Sequence, residues 1–476
     1  MDKILGLAIS PHPPIIIPEI GEGREKQAQK TINGMDKMAK TVARKKPQTI
    51  VVITPHGNLF TDGISILEAR ELVGDMGDFG RSDIRLKKSV NVDLLEKLSN
   101  RFEEMKIPSV FINNSLGQRY NAKLTIDHGA FIPLYYIDKY WDNYEIIHIT
   151  IGMLSPMELY SIGKVIADTI EDSKYRTIVL ASGDMSHRLI DEGPYDYNPM
   201  GKVFDDKVVD AISTGDVETI VNMPKNIYEP AGECGLRPFV MALGFFDGYE
   251  LESEVFSYEG PFGVGYMTAF VDAKGKEKPS LIEKEKKKIE NEYQRKRREE
   301  SPFIALARAS IENWVKSGKR MSFDDWKETI SDKTWTNYVE ENRAGAFVSI
   351  HKNDQLRGCI GTIEATQENM AQEIIRNAIQ ASSSDSRFNP IEQSELIALD
   401  IKVDILDEIE PIEGMKQLDI KKYGVIVESG YKRGLLLPNL EGVNSVEEQV
   451  SISMRKAGIT PGEEYKLYRF QVTRYE

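Results

Sequence analysis

Unbroken apolar runs alternate with amphipathic stretches through the first half of the chain. Thr49 to Ile53 is an unbroken β-branched run, which suits a central strand covered on both faces. Thr54-Pro55-His56-Gly57 ends it, because Pro55 cannot continue a ladder and Gly57 allows a sharp turn. Ile4 to Ser10 repeats the arrangement and runs into Pro11-His12-Pro13-Pro14. Further strands are predicted at Ser109 to Ile112, Glu145 to Ile151, Thr177 to Ala181 and Gly265 to Val271, with helices such as Arg24 to Lys45 and Pro156 to Asp172 between them. This alternation predicts an α/β domain over residues 1–273 with a largely parallel, covered sheet.

The pattern changes at Lys274. Residues 274–300 are dense in charge of both signs and read as a solvated linker helix. Residues 301–476 read as a smaller α+β domain. Pro302 to Ser317 and Met370 to Ser382 are its helices, and Gly345 to His351 is a strand. Gln355 to Gly361 reads as a glycine-bounded turn, and Ile397 to Leu406 alternates like a half-buried strand. Tyr423 to Ser429 and Gly434 to Pro438 form a hairpin, and Tyr465 to Val472 is the final strand.

Composition narrows the class. A chain of 476 residues with 41% hydrophobic and 29% charged residues is that of a soluble multidomain protein. No apolar stretch is long enough to span a bilayer, and the first residues lack a cleavage site of the signal-peptide kind. Two cysteines, Cys234 and Cys359, exclude a disulfide framework and fit a reducing cytoplasm. The net charge of -14 argues against nucleic acid as a partner.

The chemistry-bearing residues gather in the first domain, which holds five of the six histidines. His12 and His56 sit at the carboxyl ends of strands, where open α/β sheets place their ligands. His187, in Ser-Gly-Asp-Met-Ser-His, is at another strand end, and His128 precedes a helix. His148 lies inside a strand and reads as a core histidine. Glu233 and Cys234 are bracketed by Gly232 and Gly235, so the backbone there can bring a carboxylate or thiolate close to a ligand. His12, His56 and Glu233 together supply two imidazoles and a carboxylate, a set that leaves facial positions open on a ferrous ion. His187 then stands by as acid/base. Asp127 and Asp184 serve either as partners that orient His128 and His187 or as turn formers and helix caps. His12 and His56 as turn residues satisfied by backbone is the alternative reading.

These segments, SPHPPIIIPEIG, TPHGN, DHG, SGDMSH and GEC, resemble the class III extradiol ring-cleavage dioxygenases across nearly all of residues 1–272. The resemblance implies Fe(II) held by His12, His56 and Glu233, with His187 as acid/base and His128 as a second pocket histidine. It implies a small catechol-like substrate, dioxygen, and cleavage beside the two hydroxyls. The domain is also similar to the Memo-like branch of that superfamily, in which a cysteine in a C-G-x-x-P context takes the third ligand position. Cys234-Gly235-Leu236-Arg237-Pro238 matches that context, so Cys234 competes with Glu233. Zinc, manganese and copper also accept such ligand sets.

In the second domain LRGCIG (Leu356 to Gly361), SSSDSRFNP and the late YGVIVESG resemble the AMMECR domain, also called AmmeMemoRadiSam system protein A. That name implies a link to a radical-SAM partner. Cys359 reads either as a thiol activated by Arg357 or as a small buried side chain. Arg357 and Arg387 bind an anion or pair with Asp385 and Glu364. His351 reads as a surface or structural residue. The expectation is a non-haem iron extradiol dioxygenase fused to an AMMECR-type domain. The alternative is a metal-binding or redox accessory that does not activate oxygen and works beside a radical-SAM protein.

Overall fold

The structure is a computed structural model, and it describes every residue except Pro194, Asn353, Asp354, Glu441 and Pro461. The chain divides into two compact units, Met1–Glu285 and Lys286–Glu476. The first contains the strands β1 (Ile4–Ser10), β2 (Thr49–Thr54), β3 (Ile64–Leu67), β4 (Glu71–Met76), β5 (Arg81–Ser89), β6 (Ser109–Ile112), β7 (Glu145–Thr150), β8 (Thr177–Ser182), β9 (Tyr249–Glu259) and β10 (Tyr266–Glu277). Among the described residues, one sheet takes eight of them in the order β6-β3-β7-β2-β8-β1-β10-β9. The neighbours β7, β2, β8 and β1 are mutually parallel, and β9 and β10 close one edge as antiparallel strands.

Every residue of β2 and β8 is buried, as their continuous β-branched and apolar runs predict for strands covered on both faces. The helices Gln29–Lys45 and Pro156–Glu171 are among those that connect the parallel strands. The start of the second is written in its sequence. Pro156 fills the first turn, where its missing N–H costs nothing, and Ser155 and Glu158 complete a capping box.

Three features of this unit did not show in the hydrophobic pattern. β3 is short, β4 and β5 pair as a separate two-stranded sheet, and β9 is an edge strand with exposed glutamates along it. The linker expected at 274–300 is strand as far as Glu277 and helix over Leu281–Glu299, a helix with no buried residue.

The second unit carries two four-stranded antiparallel sheets among its described residues. One takes Gln355–Gly361, Ala346–Lys352, Leu399–Leu406 and Val472–Tyr475 in that order, and the other Glu410–Ile412, Lys466–Phe470, Gly424–Ser429 and Lys432–Leu436. Gln355 to Gly361 is thus a strand and not the expected turn, paired from Lys352↔Gln355 to Phe347↔Gly361. Its Gly358 suits close packing, since a Cβ there would lie 2.2 Å from the Ala381 carbonyl oxygen. The expected final strand is two strands, because the chain leaves one sheet at Phe470 and joins the other at Val472.

Candidate metal centre

The parallel strands β2, β8 and β1 are neighbours, and their carboxyl ends are nearly flush: Ser10 pairs with Ser182, and Ile53 with Ala181. The residues just beyond these ends therefore meet. They are His12 after β1, His56 after β2, and Ser182 and Asp184 at the end of β8 and just beyond it; His187 lies further along the same loop. His128 joins them as the first residue of the helix His128–Asp138.

His12 Nε2 lies 2.9 Å from His56 Nε2. His128 stacks on His56 with ring centroids 4.4 Å apart, and meets His12 edge-on at 5.5 Å. One ring nitrogen from each of the three falls within 4.8 Å of the others. The tautomer of His12 is fixed by its far side. Ser182 Oγ donates to the Gly129 carbonyl at 2.5 Å, so it accepts from His12 Nδ1–H at 2.9 Å. Neutral His12 then carries its lone pair on Nε2, facing His56. Burial, followed by the neighbouring His56 and His128, lowers the pKa of His12 well below the usual range. Burial and His128 bring His56 down to about 4. Both rings are neutral near pH 7.

A cation fits this donor set. Two ligands about 2.1 Å from one ion and at right angles are about 3 Å apart, close to the observed nitrogen spacing. Neutral imidazoles with nitrogens turned together are the state in which histidine binds a metal.

The turn after the helix Lys225–Ala231 supplies further candidates. Cys234 Sγ is 3.6 Å from His12 Nε2 and accepts from the Asp184 N–H at 3.3 Å. Burial, with Asp184 and Glu233 nearby, pushes the thiol well above its ordinary pKa. Glu233, the expected ligand, is not brought into the histidine group. Its Oε2 accepts from the Leu236 N–H at 2.6 Å, at the start of the helix Leu236–Leu243. Of these two adjacent residues it is the cysteine that faces His12. Burial raises the Glu233 carboxyl to about 7. Gly183 lets the two loops touch, because a Cβ on it would lie 2.2 Å from the Gly235 Cα.

Neither aspartate orients the histidine expected of it, and Asp127 instead takes the alternative role of capping the helix His128–Asp138. Asp127 does not orient His128. Its Oδ2 bonds His148 Nε2 at 2.7 Å, while Oδ1 accepts from Thr54 Oγ1 and from the Gly129 and Ala130 N–H groups. Burial opposes ionisation, but His148 and Thr54 outweigh it and hold the carboxyl well below the usual range. His148 is therefore buried as expected, in a partnership the sequence did not show. Asp184 serves His12 and not His187. Its Oδ1 accepts from the His12 N–H at 2.8 Å, its Oδ2 lies 4.0 Å from His12 Nε2, and burial raises its pKa to about 7. The sequence singled out Asp184 as a histidine's partner but pointed to His187 and not His12; its place two residues past the end of β8, the strand beside β1, is the signal that could have found the right one.

His187 stacks on Tyr195 at 5.4 Å, and its buried Nε2 has no partner among the described residues. Burial lowers its pKa. A cavity of about 260 Å³ opens onto His56 and His128, lined also by Phe79, Val73, Asp78 and Lys123. Phe79 meets His128 edge-on at 5.4 Å. It stands between β4 and β5, so the unpredicted hairpin helps to build this wall.

In the second unit Arg357 pairs with Glu395 at 2.9 Å and donates to the Asn389 and Pro390 carbonyls, so neither Asp385 nor Glu364 is its partner. Arg387 pairs with Asp385 at 2.7 Å, and Glu364 with Arg433. Cys359 Sγ is 3.2 Å from Ser349 Oγ, and the Cys359 N–H donates to Asp385 at 2.9 Å.

The fold and the cluster define an α/β domain with a histidine-rich centre on the carboxyl edge of its sheet. The chain belongs to the family of the catalytic LigB subunit of aromatic ring-opening dioxygenase, whose family model matches residues 6–270, and the AMMECR1 family model matches residues 304–476. Protein CA_C1420 of Clostridium acetobutylicum is 41% identical over 471 residues, covering 99% of this chain and 99% of its own. A protein of Thermotoga maritima is 46% identical over 179 residues, 37% of this chain and 98% of its own. Among solved structures, uncharacterized protein PH0010 of Pyrococcus horikoshii is similar over 36% of this chain and 88% of its own, at 29% identity and a TM-score of 0.32. No helix among the described residues is long and apolar enough to cross a membrane.

Proposed function

We propose that the first unit is a metal-dependent oxidoreductase that uses Fe(II) and dioxygen to open the ring of a small aromatic diol. The observation that carries this reading is the convergence of His12, His56 and His128, with the His12 lone pair fixed by Ser182. His12 and His56 hold the metal, and Cys234 or His128 is better placed than Glu233 to complete the set. A bound ferrous ion supplies a site at which a diol and dioxygen meet. The protein's own residues do the rest. Phe79 and Val73 offer an apolar wall to a ring in the cavity beside His56 and His128. His187, neutral and with Nε2 unpartnered among the described residues, accepts a proton from a substrate hydroxyl. Oxygen uptake on a panel of dihydroxybenzenes, with metal content measured on the same sample, tests the reading. Bound iron and uptake lost in His187→Ala support it; bound metal without uptake on any diol speaks against it.

A second reading is favoured by Cys234. A thiolate donor suits a softer, redox-active metal, iron or copper. The first unit is then a redox accessory to a radical-SAM partner, and the AMMECR-type unit is the module that meets it. Zinc and manganese are alternative occupants. The cytoplasm is the proposed compartment, on the strength of the two free cysteines.

A further inference from the structure

The turn that carries Cys234 is flanked by two arginines that the reaction above does not use. Arg188 follows His187, and its Nε lies 3.1 Å from where a Cβ on Gly232 would stand. Arg237 lies three residues beyond Cys234, in the first turn of the helix Leu236–Leu243, with its guanidinium 5.9 Å from the centre of the Tyr228 ring. The Nε of each is buried without a hydrogen-bond partner, and among the described residues neither guanidinium forms an ion pair.

Arginine stays charged in any protein environment, so a buried unpaired N–H on it is costly and needs an explanation. Its natural complement is a planar or tetrahedral oxyanion. Glu233 is the nearest carboxylate in sequence to Arg237 and feels its charge, but its Oε2 is committed to the Leu236 N–H. We propose that Arg188 and Arg237 form an oxyanion site beside the Gly232–Cys234 turn, which takes a carboxylate or phosphate group of an incoming ligand. The site adjoins the metal centre, since Cys234 is 3.6 Å from His12, yet it needs neither a metal nor ring cleavage to bind its anion. It stands independently of the proposed reaction.

The test is isothermal titration of the full chain, stripped of metal with a chelator, against inorganic phosphate and, separately, benzoate. The same titrations are run on Arg188→Gln, Arg237→Gln and the charge-retaining Arg188→Lys. Saturable binding of either probe is expected, weakened at least tenfold by each Gln substitution and less by Arg188→Lys. Binding of phosphate alone identifies a phosphate-bearing ligand, and binding of benzoate alone a carboxylate. Absence of binding by both probes, or equal affinity in wild type and both Gln variants, overturns the proposal. Thermal melts with and without phosphate and benzoate give a second readout: the anion that binds should raise the midpoint of wild type and leave both Gln variants unmoved.

Discussion

His12 Nδ1 lies 2.9 Å from Ser182 Oγ, and that hydroxyl has already given its proton to the Gly129 carbonyl. The serine is thus an obligatory acceptor, and it sets the tautomer of the histidine from behind. Ser182→Ala removes this constraint while leaving every metal donor in place. Metal affinity should fall about 10–100-fold, the usual cost of losing the partner behind a metal-bound histidine. Competition against a chelator measures it, and unchanged affinity would show that Ser182 does not set the ring.

Glu233 and Cys234 make opposite predictions. Cys234→Ala should weaken metal retention, because its sulfur is the one near His12. Glu233→Ala should retain metal and cost about 1 kcal/mol of stability, since it frees the Leu236 N–H at a helix start. Metal analysis and denaturant melts of the two variants separate these roles. Loss of metal in Glu233→Ala alone would reinstate the carboxylate as ligand.

Asp205 gives a pH signature. It is fully buried, accepts from the Ser186 N–H and the Tyr258 hydroxyl, and is raised by burial to about 7. Between an ordinary carboxyl pKa and about 7 the folded state holds a proton that the unfolded state has lost. This contribution to stability therefore falls as pH rises through that window, and is flat above it. Asp205→Asn removes the titration. The melting temperature of the variant relative to wild type should climb between about pH 4 and about pH 7 and then level off; a constant difference would contradict the assignment.

In the second unit Asp385 holds both Arg387 and the Cys359 N–H. Asp385→Ala should cost about 1–2 kcal/mol, because it strands a part-buried donor. A denaturant midpoint unchanged from wild type would remove Asp385 from the support of the LRGCIG strand.

The central architecture was legible because β2 and β8 are buried on both faces, and a β-branched run has few other uses. His12 and His56 were legible because proline and glycine mark where β1 and β2 stop. The choice between Glu233 and Cys234 was not, since it depends on which side of one turn faces His12. Nor was the service of Asp127 to His148, because separate local signals place the two and only the fold brings them together. Gln355 to Gly361 was misread because its glycines suggest a turn, whereas pairing on Ala346–Lys352 makes it a strand.

The measurement that bears most directly on the central claim is metal content after anaerobic purification, followed by oxygen uptake on dihydroxybenzenes, for wild type and His12→Ala. Stoichiometric iron with diol-dependent uptake is predicted for wild type, and neither for His12→Ala. Wild type that binds no metal, or oxygen uptake equally fast in His12→Ala, would contradict it.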